Sequence, residues 1–295
     1  MRVLVTGAAG FTAEHLVRLL ETDNTLELFQ TDLSLPNDNN FFRCDLTKAA
    51  EVVSLLNVAK PDRIYHLAGS YSNDYEIDYK VNVCSTKSIF DAIISLGHKC
   101  RILLIGSAAE YGVVSKESNP VGEDHPLSPV SIYGLTKTYQ TMLMRCYRNI
   151  HGLDVVMART FNLLGKGLST KLFVGRVYEQ IGSYKNGKVQ RIEVGNLENK
   201  RDYIHINDAV KCYRLIMERG SAGEIYNVGS GTSIKMYDLL RMILEETGIG
   251  INVVQHATTM KSHFIDISDI YADLTKLNTL KATTAEHSGS DEILA

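Results

Sequence analysis

The sequence predicts an α/β protein: a doubly wound parallel sheet with a smaller C-terminal lobe interleaved with it. Three observations carry this. Short apolar runs alternate with amphipathic helical stretches through the first half, those runs lack polar alternation, and the rhythm weakens after Arg159 before returning near Asp208. Strands that alternate with helices build parallel β-α-β units. A strand covered by helices on both faces reads apolar throughout, instead of at every second residue.

In order, a strand is expected at residues 3–5, followed by a helix at 14–21 with Leu16, Leu19 and Leu20 on one face. A second strand covers 27–30. A helix at 48–58 leads to a strand at 63–66, and a helix at 81–96 leads to the very apolar strand at 101–105. A long helix runs over 133–151 before a strand at 154–159. From Leu163 to Lys200 the chain is richer in Gly, Lys and Asn, with one helix at 173–183 and a short strand at 191–194. A helix at 208–218 and a strand at 223–228 return to the main sheet, and a helix at 236–247 and a strand at 252–255 belong to the lobe. No Pro- or Ser-rich linker separates the parts. The expected division is therefore 1–162 with returning segments at about 204–232 for the main domain, and 163–203 with 233–280 for the lobe. Residues 281–295 read as a polar, weakly patterned tail.

Composition narrows the function classes. A chain of 295 residues fills one large domain, or a main domain plus a lobe. A net charge of -3 supplies no basic field for nucleic acid or an anionic membrane. No apolar run approaches the roughly 20 residues that cross a bilayer, and Met1-Arg2 runs straight into strand-like Val3-Leu4-Val5 with no signal-peptide pattern. Cys44, Cys84, Cys100, Cys146 and Cys212 are odd in number and scattered, with no C-x-x-C pair. That pattern predicts reduced thiols in a cytoplasmic protein, not a disulfide frame or a zinc site. The histidines form no H-E-x-x-H, so no metal is expected.

Gly7-Ala8-Ala9-Gly10-Phe11-Thr12-Ala13 lies between the first strand and the first helix. Glycine lets backbone approach a pyrophosphate, and a helix N-terminus offers free N–H groups and partial positive charge. This is the signature of a Rossmann-type dinucleotide site; the alternative is a plain strand–helix turn. Ala13 stands where a third glycine is usual. Asp32 closes the second strand roughly 20 residues beyond the glycines, where a carboxylate accepts hydrogen bonds from the adenosine ribose. It would repel a 2′-phosphate: two unit charges about 4 Å apart cost on the order of 4 kcal/mol at an effective dielectric of 20. Leu33, Ser34, Leu35 and Pro36 bring no cation to offset this. The expected cofactor is NAD, with NADP disfavoured, unless Asp32 is only a loop-capping carboxylate.

Tyr133-Gly134-Leu135-Thr136-Lys137 puts Tyr and Lys one helical turn apart on one face. A free phenol has a pKa of about 10, and a neighbouring ammonium favours its ionised form. Lys137 can also hold the nicotinamide ribose. Ser107 sits at the carboxyl end of the apolar strand, where open α/β sheets bind their ligands. Ser107, Tyr133 and Lys137 then read as a hydride-transfer triad: Tyr133 moves the proton, Ser107 orients the oxygen, and the dinucleotide moves the hydride. Alone, the Tyr–Lys pair would read as two surface residues.

With these residues assembled, the chain resembles the extended short-chain dehydrogenase/reductase family, the NAD-dependent epimerases, dehydratases and reductases of nucleotide sugars. The resemblance runs from about Met1 to Leu280. It includes the glycine turn (Gly7, Gly10, Phe11 and Thr12), Asp45-Leu46 beside the adenine, and His66-Leu67-Ala68-Gly69 against the cofactor. It also includes Asn82 on the following helix, Arg159-Thr160-Phe161-Asn162, and Tyr226-Asn227-Val228-Gly229-Ser230-Gly231. It implies cofactor contacts from Leu67, Ala68, Gly69, Asn82, Tyr133 and Lys137, and a homodimer in which the 81–96 and 133–151 helices form a four-helix bundle.

Gly195-Asn196-Leu197-Glu198-Asn199-Lys200-Arg201-Asp202-Tyr203 resembles the branch acting on GDP-sugars, GDP-mannose 4,6-dehydratases and GDP-4-keto-6-deoxymannose reductases. There Arg201 would grip the diphosphate, a task suited to a guanidinium fork, with Asn162 on the phosphates or the sugar. The alternative for Arg201 is a surface ion pair. Dehydratases of this kind carry acids before the loop tyrosine, where this chain has Ala108 and Ala109. Methyl groups do no acid–base chemistry. Glu110 is adjacent but would point away in an extended segment.

The resemblance thus implies reduction of the C4 ketone of a GDP-4-keto-6-deoxyhexose. A 4-epimerase with retained NAD comes second, a 4,6-dehydratase third, and a non-catalytic cofactor-binding protein last. The chain departs from the family at Lys166 (often Pro), Cys84 (often Gly) and Lys261-Ser262 (often Arg-Pro), and it lacks the usual Gly-Trp and C-terminal helix.

Overall fold

A computed structural model describes residues 1–34, 40–256 and 266–285. The expectations placed on Leu35, Pro36, Lys261, Ser262 and the last ten residues of the tail lie outside these.

The chain opens with β1 (Arg2–Thr6), α1 (Phe11–Leu20), β2 (Glu27–Asp32), β3 (Phe41–Arg43), α2 (Ala49–Ala59) and β4 (Arg63–His66). A short helix α3 (Tyr75–Asp78) runs through a π-helical turn, Tyr79–Cys84, into α4 (Ser85–Leu96). Then come β5 (Arg101–Ser107), α5 (Ile132–His151), β6 (Val155–Thr160) and β7 (Asn162–Leu164). The remainder is α6 (Phe173–Lys185), β8 (Ile192–Val194), β9 (Lys200–Arg201), β10 (Tyr203–His205), α7 (Ile206–Arg219), β11 (Ile225–Val228), β12 (Ile234–Lys235), α8 (Met236–Glu246), β13 (Val254–His256) and α9 (Thr275–Ala285).

The main sheet has seven strands in the order β11-β6-β5-β4-β1-β2-β3, with every pairing parallel. Its apolar strands divide their side chains between two cores, because successive residues point to opposite faces. Val3, Val5, Leu103, Val156 and Ala158 pack with α1 and α7, whereas Leu4, Ile102, Leu104, Val155 and Met157 pack with α2, α4 and Met144 of α5. Helix cover on both faces is what left the sequence pattern without alternation.

The chain winds outward from β1 to β3 and then crosses to β4 on the other side of β1. This reversal opens a crevice at the carboxyl ends of β1 and β4, where Thr6 pairs with His66. A third apolar cluster joins Val174, Val177 and Ile181 of α6 to Leu239, Leu240 and Ile243 of α8, with Ile192 and Val194 of β8.

The structure corrects the reading of the C-terminus. Residues 275–285 form a helix, with Leu277 fully buried against the α1–α7 core. Its sequence carries only Leu277 and Leu280 as large apolar residues, so it has almost no amphipathic period to detect. Among the described residues no helix is long and apolar enough to cross a membrane.

Candidate active site

Gly7 adopts a left-handed conformation, φ +66°, and a Cβ there would lie 2.7 Å from the Ala68 backbone. Only glycine allows this approach, which seats the β1 turn against Leu67 and Ala68 as they leave β4. Gly10 N–H donates to Gly7 O at 2.9 Å and caps α1. Thr12 is partly exposed in the first turn, where helix N–H groups lack intrahelical partners. Phe11 packs against both the α1–α7 core and the α6–α8 cluster, so it joins the two clusters.

Asp32 lies beside this turn and accepts from Ala9 N–H at 3.3 Å and from the Ser34 N–H and hydroxyl at 3.1 and 2.9 Å. Its carboxylate thus also ties its own loop. Asp45 accepts from the Thr47 hydroxyl and N–H. The Thr47 hydroxyl leads the contacts that hold Asp45 below the usual carboxylate range. Leu46 is buried in the α2 core.

Asn82 is fully buried in the π turn with both ends of its amide engaged inside the protein. Its Oδ1 accepts from Ser70 N–H at 2.8 Å, and its Nδ2 donates to Ser70 O and Thr136 Oγ1. It pins the 67–72 loop. Gly69 allows close packing there: a Cβ would meet Asn82 Oδ1 at 3.2 Å and Lys137 Nζ at 3.6 Å.

Ser107, Tyr133 and Lys137 come together at the carboxyl end of β5. Ser131 caps α5, its hydroxyl accepting from Gly134 N–H. A Cβ on Gly134 would lie 2.4 Å from Ala109 O, so α5 begins in contact with the Ala108–Ala109 turn. The Ser107 Oγ accepts from Ala109 N–H at 3.2 Å and acts on the Tyr133 phenol to favour its ionised form. Tyr71, 42% exposed, packs edge-on against Tyr133 with ring centroids 4.8 Å apart. Lys137 is buried and donates to Ile105 O at 2.9 Å and Gln140 Oε1 at 3.1 Å.

The electrostatics differ from the expectation of a phenol lowered by its lysine. Burial pushes Tyr133 up to about 12, with the Ser107 hydroxyl pulling it back in part. Burial also lowers the Lys137 ammonium to about 8, against the pull of Glu110 and Asp78. Desolvation penalises both charged forms, and it outweighs pair attraction here.

The loop after Ser107 is a second correction: Ala108–Glu110 is a 3-10 turn, not an extended segment. Glu110 is fully buried, accepting from Ser107 N–H at 2.8 Å and pairing with Arg159 at 3.1 Å. Thr141 donates to the same carboxylate. Arg159 lies over the Tyr111 ring at 4.8 Å and donates to its hydroxyl, which donates in turn to Asn227. Glu110 is therefore a structural anion, committed to Arg159, Thr141 and the Ser107 N–H.

Asn162 donates to Asp202 O at 3.0 Å. Arg201, with its side chain 19% exposed, pairs with Asp266 at 3.5 Å, and Asn196 donates to the same carboxylate. Burial lowers its guanidinium, which Asp266 opposes. Sequence reasoning overlooked Asp202. This fully buried carboxylate accepts from Ser230 N–H and hydroxyl, Gly231 N–H and Ala272 N–H, tying three segments together. A Cβ on Gly229 would lie 2.5 Å from it, which accounts for the Gly-Ser-Gly run. Gln140 and Thr86 were also overlooked; polar residues on the buried faces of α5 and α4 were the available signal.

The family model described as the NAD dependent epimerase/dehydratase family matches residues 3–229. GDP-6-deoxy-D-mannose reductase of Pseudomonas aeruginosa is 28% identical over 269 residues, covering 88% of this chain and 84% of its own. GDP-6-deoxy-D-talose 4-dehydrogenase of Aggregatibacter actinomycetemcomitans is 27% identical over 281 residues, covering 94% and 90%. The structure of RMD from Pseudomonas aeruginosa complexed with NADPH shares the fold with a TM-score of 0.83 at 24% identity, covering 96% of this chain and 93% of that one. The chain belongs to the NAD-dependent epimerase/dehydratase family and is an enzyme of the short-chain dehydrogenase type, within a group that transforms nucleotide sugars.

Proposed function

We propose that this enzyme reduces the C4 ketone of a GDP-4-keto-6-deoxyhexose with NADH. The observation that carries it is the chemistry around the triad: Ala108 and Ala109 offer only methyl groups, and Glu110 is committed to Arg159. Dehydration needs a further acid or base at the sugar, and this loop supplies none. Burial keeps the Tyr133 phenol protonated at neutral pH, the form that reduction requires.

The residues present fit a dinucleotide. The left-handed Gly7 clears the approach to the α1 N-terminus, and Asp32 stands beside that turn. NADH, when bound, supplies the hydride delivered to C4. Ser107 and Tyr133 converge on the C4 oxygen; Ser107 orients it and Tyr133 protonates it. Lys137 holds the nicotinamide ribose. Arg201 exchanges Asp266 for the substrate diphosphate, Asn162 lies beside it, and the described residues of the C-terminal lobe, 163–203, 233–256 and 266–280, cover the sugar nucleotide. Five free cysteines support a cytoplasmic setting.

Asp32 favours a second reading, a 4-epimerase holding NAD through the cycle, in which the same hydride is removed and returned. Two parallel assays separate them: GDP-4-keto-6-deoxymannose is supplied with NADH or NADPH, a GDP-hexose is supplied without added cofactor, and absorbance at 340 nm and sugar product are measured in both. Consumption of one NADH per product, with NADH preferred, is expected. Interconversion of GDP-hexoses without net NADH use favours the epimerase, and equal or better use of NADPH overturns the role of Asp32.

A further inference from the structure

A chain of buried polar side chains runs from the glycine-turn strand to Lys137, and donor counting fixes its direction. Thr86 has one hydroxyl proton, given to Asn82 O at 2.7 Å. Its oxygen must therefore accept from its other neighbours, Gln140 Nε2 at 2.8 Å and His66 Nε2 at 3.1 Å. His66 then carries its proton on Nε2, and its bare Nδ1 accepts from the Thr6 hydroxyl at 2.8 Å. Thr6 Oγ1 accepts in turn from Ala68 N–H at 3.2 Å. At the other end Lys137 has only donors, so Gln140 must present Oε1 to it and cannot flip. Thr6, His66, Thr86 and Gln140 are all buried, at 1% exposure or less. Burial holds His66 down at about 3, so the ring stays neutral and the chain keeps one polarity at working pH.

Two acceptors, Ile105 O and Gln140 Oε1, take two of the three Lys137 N–H groups. The third remains for the crevice. We propose that Gln140 is a positioning residue for Lys137: its amide, oriented by Thr86, keeps the ammonium protonated and aimed at the nicotinamide ribose. This rests on the dinucleotide reading above. The charged and titratable groups facing Lys137 are Glu110 after β5, Asp78 on α3, His66 on β4, and Tyr133 on its own helix. Glu110 is already paired with Arg159. Gln140 is the neutral acceptor among them, and its replacement has a readable sign.

The test is NADH affinity by calorimetry between pH 6.5 and 9.5, which needs no turnover. Wild-type affinity should fall as pH rises through about 8. Gln140→Glu places a carboxylate on the ammonium and should move that fall to higher pH by about one unit. Gln140→Met removes the acceptor at similar volume and should move it to lower pH by about the same amount. Thr86→Val, which leaves Gln140 in place but unoriented, should give a smaller shift in the Met direction. Opposite shifts for Glu and Met support the proposal, because a merely structural role would lower the melting temperature without moving the fall in opposite directions. An unmoved fall in these variants overturns the assignment of Gln140. No NADH binding by the wild-type chain at any pH overturns the dinucleotide reading itself, and this proposal with it.

Discussion

Glu110 shows how one side chain decides between reactions. It is the acid adjacent to Ala108 and Ala109, and packing pairs it with Arg159 and surrounds both with Tyr111, Thr141 and the Ser107 N–H. Removing one member of a buried pair leaves the other charge without compensation, at a cost of about 3–5 kcal/mol. Glu110→Ala should lower unfolding free energy by about that amount in urea titrations. A Glu110→Leu/Arg159→Met double variant should recover most of the loss, since an apolar pair of similar volume needs no partner. If Glu110→Ala were as stable as wild type, the pair would not be the anchor described here. The triad itself was legible because Tyr133 and Lys137 share a helix face at fixed spacing. The state of its protons was not, because burial, which no spacing reveals, sets both pKa values.

At the level of elements, the site depends on three segments brought close by glycine: the β1 turn at Gly7, the β4 exit at Gly69 and the start of α5 at Gly134. Gly7 is the most demanding, combining φ +66° with a Cβ position only 2.7 Å from Ala68 backbone. Gly7→Ala should weaken NADH binding at least tenfold, read by calorimetry, by pushing the turn off Ala68 and moving the α1 N-terminus. Unchanged affinity would remove the glycine turn from the cofactor site. The glycines and Asp32 could be read from order along the chain, since strand, turn and helix are consecutive. The pairing of Asn82 with Ser70 was not legible, because Ser70 lies across a loop and only the π turn aims the amide there.

For the whole molecule, the exposed surface of α3, the π turn and α5 carries Tyr75, Tyr139 and Met142, between 38% and 46% exposed. Tyr75 stacks on Tyr79, which meets Tyr139 edge-on. We propose that this apolar, aromatic face forms the homodimer contact. Sedimentation of the wild-type chain should give a dimer, and Met142→Glu should give a folded monomer with an unchanged circular dichroism spectrum. A monomeric wild type would defeat the idea.

By itself the sequence determined the parallel sheet, the glycine turn between β1 and α1 and the family, because each depends on neighbours close along the chain: period, cap and spacing. Only the tertiary structure decided that Glu110 is spoken for, that Asn82 serves a loop, that Asp202 ties three segments, and that Thr6, His66, Thr86 and Gln140 form one directed chain to Lys137. Those facts are pairings across up to 70 residues of sequence. Their energy comes from burial, where an unmatched polar group is costly and so each partner is strictly chosen.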